Sequence, residues 1–261
     1  MLDGDTPQER LHHLIDSFDS LRPRMTELPA TQSPVVLDSV RLLPPVPSPG
    51  KILVTTARYG PDAEPQPLLA TLKNPESVIG PGDTVHLPDV DSSWQFVPRA
   101  MLGLVIRGPA RNISAENWRT AVFGHMCVID VMARGDQMFG RDYWLAKSDT
   151  LGPLGPCIVT ADELPDPTGL RVRSWHNATL AQDFLIADAS HSIPEQLTFA
   201  TTVMTLHTGD VLACGTNVPT PGHRPLASSA AAPQQSPVLH RQLLGARATR
   251  SPSAEHVPQE P

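Results

Sequence analysis

Apolar positions along the chain come in two textures. Near the N-terminus Leu11, Leu14, Ile15, Phe18 and Leu21 recur at helical spacing. Thr6-Pro7-Gln8-Glu9 stands just before them: threonine can cap, proline suits the first helical position, and glutamate can bond back to the cap. The pattern predicts an amphipathic helix of about four turns that ends near Pro23. From Lys51 onward short apolar runs bounded by glycine and proline take over: KILVTT, SVIGPGDTVHLP, LGLVIRG, CIVTADEL, LRVRSWHN and DVLACGT. This is the punctuation of strands. In FVPRAMLGLVIRG, residues 96–108, strict alternation puts Arg99, Met101 and Gly103 on one face and Ala100, Leu102 and Leu104 on the other. Ser114 can cap a short helix in SAENWRTAVFG, with Trp118, Ala121 and Val122 inward; helix is otherwise sparse.

The boundaries follow from these textures. Residues 1–50 read as an N-terminal helix and an extended, proline-rich connector over 28–50. Residues 51–220 read as a mainly β domain with few helices, α+β in class. After Thr220 the periodicity stops; 221–261, rich in Pro, Ser, Ala and Gln, reads as a disordered tail in which only VLHRQLLG could form a helical turn.

Composition narrows the function classes. The 29 prolines among 261 residues favour loops and edge strands over long helices. The net charge of −7 gives no footprint for nucleic acid. No apolar run is long enough to span a membrane, and MLDGDTPQER lacks the character of a secretory signal. Cys127, Cys157 and Cys214 are widely separated and read as buried free thiols, which suits a reducing cytoplasm.

Several stretches, in order, resemble the fumarylacetoacetate hydrolase family: VRLLPPVPSPGKIL, LKNPESVIGPGDTVHLP, LGLVIRGPARNISAENWRTAVFGHMCVIDVMARGDQ, KSDTLGPLGPCIVTADELPDPTGLRVRSWHN and TLHTGDVLACGTN. The resemblance implies a mixed β-roll or β-sandwich with short helices, usually a homodimer. It implies an enzyme that cleaves, decarboxylates or isomerises diketo acids and β-keto acids. In such enzymes two carboxylates of a Glu-x-Glu strand and one of an Asn-Asp strand hold a divalent metal, a His–Glu pair activates water, and a lysine polarises a carbonyl.

The chain departs from that pattern. Arg99 and Met101 stand where the two glutamates belong, and Ile129-Asp130 keeps only the aspartate. In RYGPDAEP, Tyr59 survives, Arg58 replaces the asparagine, Asp62 replaces the histidine, and Pro65 replaces the glutamate unless Glu64 takes its role. Arg134 and Gln137 match ARGDQ, Lys147 matches the lysine, and Gly215-Thr216 matches a glycine-threonine, followed by Asn217 in place of proline. Arg99, Asp130, Lys147 and Thr216 are therefore the candidate catalytic residues. Tyr59, Met101, Arg134, Gln137, Asp62 and Glu64 are the candidate substrate contacts.

Charge argues against a metal at these positions. Arg99, Met101 and Asp130 sum to zero, methionine sulfur is soft, and a guanidinium keeps its proton. A positive charge ~4 Å from a dication costs roughly 8 kcal/mol at an effective dielectric near 20. No metal cofactor is expected. Arg99 could take the metal's place, paired with Asp130 and offering donors to an enolate oxygen. It could equally form an inert buried pair with Asp130, or point to solvent if the register slips by one residue.

His125, at an odd offset from Asp130 on a strand, points to the opposite face and reads as a packed or exposed histidine. Cys214 lacks an identifiable base. The expected function is enolate chemistry on a β-dicarbonyl, a β-keto acid or a polyketide-like enol: isomerisation, decarboxylation, dehydration or cyclisation, in a secondary-metabolism setting. One alternative is a catalytically silent binding or scaffold protein. Another is a metal-dependent C–C hydrolase that recruits Asp62, Glu64 or Asp136 as ligands.

Overall fold

The computed structural model describes residues 2–60, 63, 66–90, 94–135, 144–176, 179–217 and 226–227. The Thr6–Glu9 capping box opens α1 (Pro7–Asp16), whose Leu11 and Ile15 are buried. The helix does not run on to Pro23. The chain breaks at Ser17 and starts α2 (Phe18–Thr31), which passes through Pro23 at the loss of one backbone hydrogen bond. The break lets Phe18 meet Phe123 edge-on, with ring centroids 5.1 Å apart.

The strands are β1 (Ile52–Thr55), β2 (Ala70–Lys73), β3 (Val78–Ile79), β4 (Gln95–Ile106), β5 (Val122–Arg134), β6 (Gly152–Thr160), β7 (Arg171–His176), β8 (Thr179–Leu185), β9 (Val211–Ala213) and β10 (Leu226–Ala227). The main sheet runs β2-β1-β9-β4-β5-β6-β3, with β10 also paired to β4, and β7–β8 form a separate hairpin. The sheet is mixed: β1 lies parallel to β9 and β3 parallel to β6, whereas β4 and β5 are a long antiparallel pair. The architecture is α+β and mainly β, as the apolar pattern predicts. Strands β2 and β3 are separated by only residues 74–77, yet they sit at opposite ends of the sheet order. The sheet must therefore curl until its ends approach each other. That curl brings Lys73 of β2 to β5.

Two layers cover the sheet. On one face Leu53, Leu102, Leu104 and Ile106 pack against α3 (Ile193–Val203) through Leu197 and Ala200, and against Phe184 of the hairpin. On the other, Ile52, Val54, Met101, Val105 and Val128 pack against Leu11 and Ile15 of α1. Trp94, Phe96, Ile129, Val131, Ala146 and Leu151 form a third cluster at the far end.

The sequence pattern also missed in places. The Ser114 segment yields only a 3-10 turn, Trp118–Ala121, because the Asn117 amide group bonds the Ser114 hydroxyl and ties off a tight turn first. SVIGPGDTVHLP gives two strand residues, then a turn at Pro81-Gly82. Helix α3, with its own Ser192–Glu195 capping box, was not anticipated. Cys157 is exposed, not buried, since it lies on the half-covered end of β6. Within the stretch read as tail, Leu226 and Ala227 pair with Phe96 and Gln95, a contact too short to leave a periodicity. VLHRQLLG lies outside the described residues. Among the described residues no helix is long and apolar enough to cross a membrane.

Candidate active site

Arg99 and Asp130 are direct cross-strand partners in the β4–β5 ladder, so their side chains leave the same face. The Asp130 side chain is 3% exposed and that of Arg99 22%. One carboxylate oxygen of Asp130 accepts from Arg99 Nη2, and the other accepts from Lys73 Nζ at 2.7 Å. Lys73 is itself buried, and its ammonium also donates to the carbonyls of Val131 (3.3 Å) and Ala146 (3.2 Å). Burial alone would push the Asp130 carboxyl up; the Lys73 ammonium and the Arg99 guanidinium outweigh it and hold the pKa down at about 2.

Lys147 joins the cluster from the turn that follows Trp144 and Leu145. Asn74, next to Lys73, donates its side-chain amide to the Lys147 carbonyl at 3.2 Å. Lys147 is half-buried, and its pKa is lowered to about 8, first by desolvation and then by the Lys73 ammonium, with Asp130 opposing. Lys73, Arg99 and Asp130 leave one net positive charge before Lys147 is counted. Such a patch attracts anions. Arg99 Nε is a buried N–H with no hydrogen-bond partner among the described residues. A donor in that state is costly in a fold and useful to a ligand.

The other candidates are placed as follows. Met101 is 1% exposed and packs in the α1-side core. Thr216 is buried; its hydroxyl donates to the Ala100 carbonyl at 2.8 Å and accepts from Gln182 Nε2 at 2.7 Å. It thus sits against the residue after Arg99. The preceding Gly215 has a φ of +67°, and a Cβ there would stand 2.1 Å from the Ala57 carbonyl oxygen. Tyr59 is buried, its hydroxyl donating to the Cys214 carbonyl, and burial pushes its pKa far up. Cys214 is buried as well, and burial pushes its thiol up, away from nucleophilic use. Arg134 is exposed at the end of β5, and Arg58 is exposed beside Thr216. Gln137, Asp62 and Glu64 lie outside the described residues.

Two residues that the sequence reading did not single out prove central. Lys73 closes β2 and reaches Asp130 only through the curl of the sheet, which no local pattern around it announces. Gln182 is fully buried: its side-chain oxygen accepts from Ala100 N at 2.7 Å, and its amide nitrogen donates to Thr216 and to Asn217 Oδ1. It ties the hairpin to β4 beside Arg99. Gln182→Leu strands the Ala100 N–H, so the expected loss is roughly 1–3 kcal/mol in denaturant unfolding.

The profile of the fumarylacetoacetate (FAA) hydrolase C-terminal family matches residues 54–242. The chain is 32% identical to an oxaloacetate tautomerase of Bacillus subtilis over 190 residues, which is 69% of this chain and 63% of that protein. It is 30% identical to a maleylpyruvate hydrolase of Aquipseudomonas alcaligenes over 223 residues, 78% of this chain and 75% of that one. Among solved structures it is similar to a maleylpyruvate hydrolase from Sphingobium in complex with manganese (II) ion and pyruvate. The TM-score is 0.73 and the identity 32%, over 82% of this chain and 78% of that one.

That manganese complex corrects the expectation of no metal cofactor. A divalent metal is what the relatives support. Positions 99, 101 and 130 need not make up a whole ligand shell, so their summed charge does not decide whether a metal binds. As arranged here, Asp130 does not fit a divalent ion, since both its oxygens are engaged by cations. Among the described residues no three His, Cys, Asp or Glu side chains cluster as ligands, and Asp62, Glu64 and Asp136 lie outside them.

Proposed function

Because the chain belongs to the fumarylacetoacetate hydrolase family, we propose that it is an enzyme of small keto acids that interconverts the enol and keto forms of a β-keto dicarboxylic acid of the oxaloacetate kind. The observation that carries this reading is a buried Arg99 Nε–H with no partner among the described residues, on the Asp130 cluster of net positive charge, whose Lys73 and Asp130 also act on the half-buried Lys147 and its lowered pKa. The positive charge draws in the carboxylates. Lys147, when neutral, takes a proton from the carbon between the two carbonyl-bearing carbons. The C–H electron pair becomes the C=C bond and the carbonyl π pair moves to the keto oxygen, where Arg99 Nε–H donates to the developing enolate. Return of the proton to that oxygen gives the enol. Lys73 and Asp130 hold Arg99 in place, and Thr216 with Gln182 fixes the backbone of Ala100.

The reading extends to the domain limits, with a catalytic domain beginning near residue 51, and to a homodimer. The mass measured by light scattering at two protein concentrations tests the dimer. The manganese-bearing relative makes the metal a variable of the main test. Enol–keto conversion of oxaloacetate is followed by ultraviolet absorbance with the protein as purified, after chelation, and with manganese(II) added. Conversion that falls about 100-fold or more in Arg99→Lys, which keeps the charge but loses Nε, is the expected result. No conversion in any of the three conditions sinks the proposal.

A further inference from the structure

His125 is 3% exposed, and neither of its ring nitrogens has a hydrogen-bond partner among the described residues. Burial lowers its pKa to about 4, so the ring is neutral near pH 7, with one nitrogen able to donate and the other to accept. It lines a cavity of about 280 Å³ where α2, the 118–121 turn, the start of β5 and the loop after β6 meet. Phe18, Trp118 and Phe123 supply aromatic walls, and Arg22, Arg107 and Arg119 line the same cavity.

The cavity has a buried end and a wet end. The side chains of Arg22 and Arg107 are 54% and 35% exposed and pair with Asp162 at 2.5 Å and Asp19 at 3.1 Å. Exposed pairs of this kind are weak and exchange easily for another carboxylate. Arg119 lies over the Trp118 ring at 4.5 Å and donates Nε to the Pro165 carbonyl at 3.0 Å. Its terminal nitrogens make no hydrogen bond with a described residue, so the planar fork that suits a carboxylate is available. In the lining three guanidiniums face two carboxylates, and Asp166, outside the lining, also feels the Arg119 charge.

We propose that this cavity is a second ligand site, for a small aromatic carboxylate with a hydroxyl or keto oxygen at the opposite end of its ring. The ring lies among Phe18, Trp118 and Phe123, the carboxylate meets Arg119, and the far oxygen bonds His125. The site is separate from the cluster at Asp130. His125 and Asp130 lie five residues apart on β5, roughly 16 Å along the strand, and leave opposite faces.

The test titrates 4-hydroxybenzoate and benzoate into the full chain while the histidine ring nitrogens are followed by NMR. The expected result is saturable binding of 4-hydroxybenzoate that shifts the His125 signals and is about tenfold tighter than that of benzoate, the effect of one buried hydrogen bond. Arg119→Gln, at the wet end where folding is not at stake, weakens both ligands by roughly tenfold. His125→Leu makes the two bind alike; should that variant fold poorly, the Arg119→Gln comparison decides alone. Absence of saturation at millimolar ligand overturns the proposal. So does binding that Arg119→Gln leaves unchanged, or binding that Lys147→Arg abolishes, which would place the ligand at the other cluster.

Discussion

Asp130→Asn lowers stability by roughly 3–5 kcal/mol, the usual cost of leaving a buried charge without its partner. Lys73 is buried beside it, and its remaining acceptors are two backbone carbonyls at 3.2 and 3.3 Å. An amide keeps the shape of the carboxylate but offers one neutral oxygen to two cations. The melting temperature is expected to fall on the order of 10 °C. Lys73→Met together with Asp130→Leu should recover part of this loss, because the fully buried ammonium goes with its partner and only the Arg99 guanidinium, 22% exposed, loses a counter-charge. If the single and double variants melt alike, Asp130 is not the counter-charge of a buried lysine.

The same contacts set an acid limb. The Asp130 pKa is about 2 in the fold and ~3.9 in an unfolded chain. The unfolded chain therefore binds the proton first, and the stabilisation is present above pH ~4 and lost as pH falls toward 2. By linkage its size is roughly 2–3 kcal/mol. In Asp130→Asn the corresponding slope of stability against pH should vanish, which acid titration followed by circular dichroism would show.

Local signals carried the fold, and long-range closure hid part of the site. The capping box at Thr6 and the alternation in FVPRAMLGLVIRG follow from spacing within one element, whereas the facing of Arg99 to Asp130 was implied by the family resemblance, with a one-residue slip left open, and is fixed by the β4–β5 ladder. Lys73 belongs to the site only because the sheet curls until β2 meets β5, and nothing in ATLK itself encodes that approach. Gln182 is similar: its partners lie on β4 and beyond β9, so a polar residue in an alternating strand gave no hint of full burial. Helix α3 was legible and was missed. Ser192-Ile193-Pro194-Glu195 is the same start signal as Thr6-Pro7-Gln8-Glu9, but strand punctuation on both sides of it dominated the reading. The metal expectation failed for a related reason. Ligand shells gather residues from several loops, and a charge sum over one strand pair cannot represent them.

Lys147→Arg is expected to lower kcat/KM by 10²- to 10⁴-fold, the range for loss of a general base. Arginine retains the positive charge and most of the reach but cannot give up its proton. A large loss in this variant therefore separates proton transfer from simple anion binding. In the wild type, kcat/KM should rise with pH through about 8, because the neutral amine is the form that abstracts the proton. The limb in kcat should lie at higher pH, since a bound dicarboxylate beside the ammonium favours its charged form. Stability carries the same signature with its own sign: the unfolded chain holds the lysine proton up to ~10.4 while the fold releases it near 8, so stability rises with pH between those values. Arginine at 147 should erase both trends together. A pH–rate limb near 8 that persists in Lys147→Arg would assign the base to another group and leave Lys147 as a charge that only holds substrate.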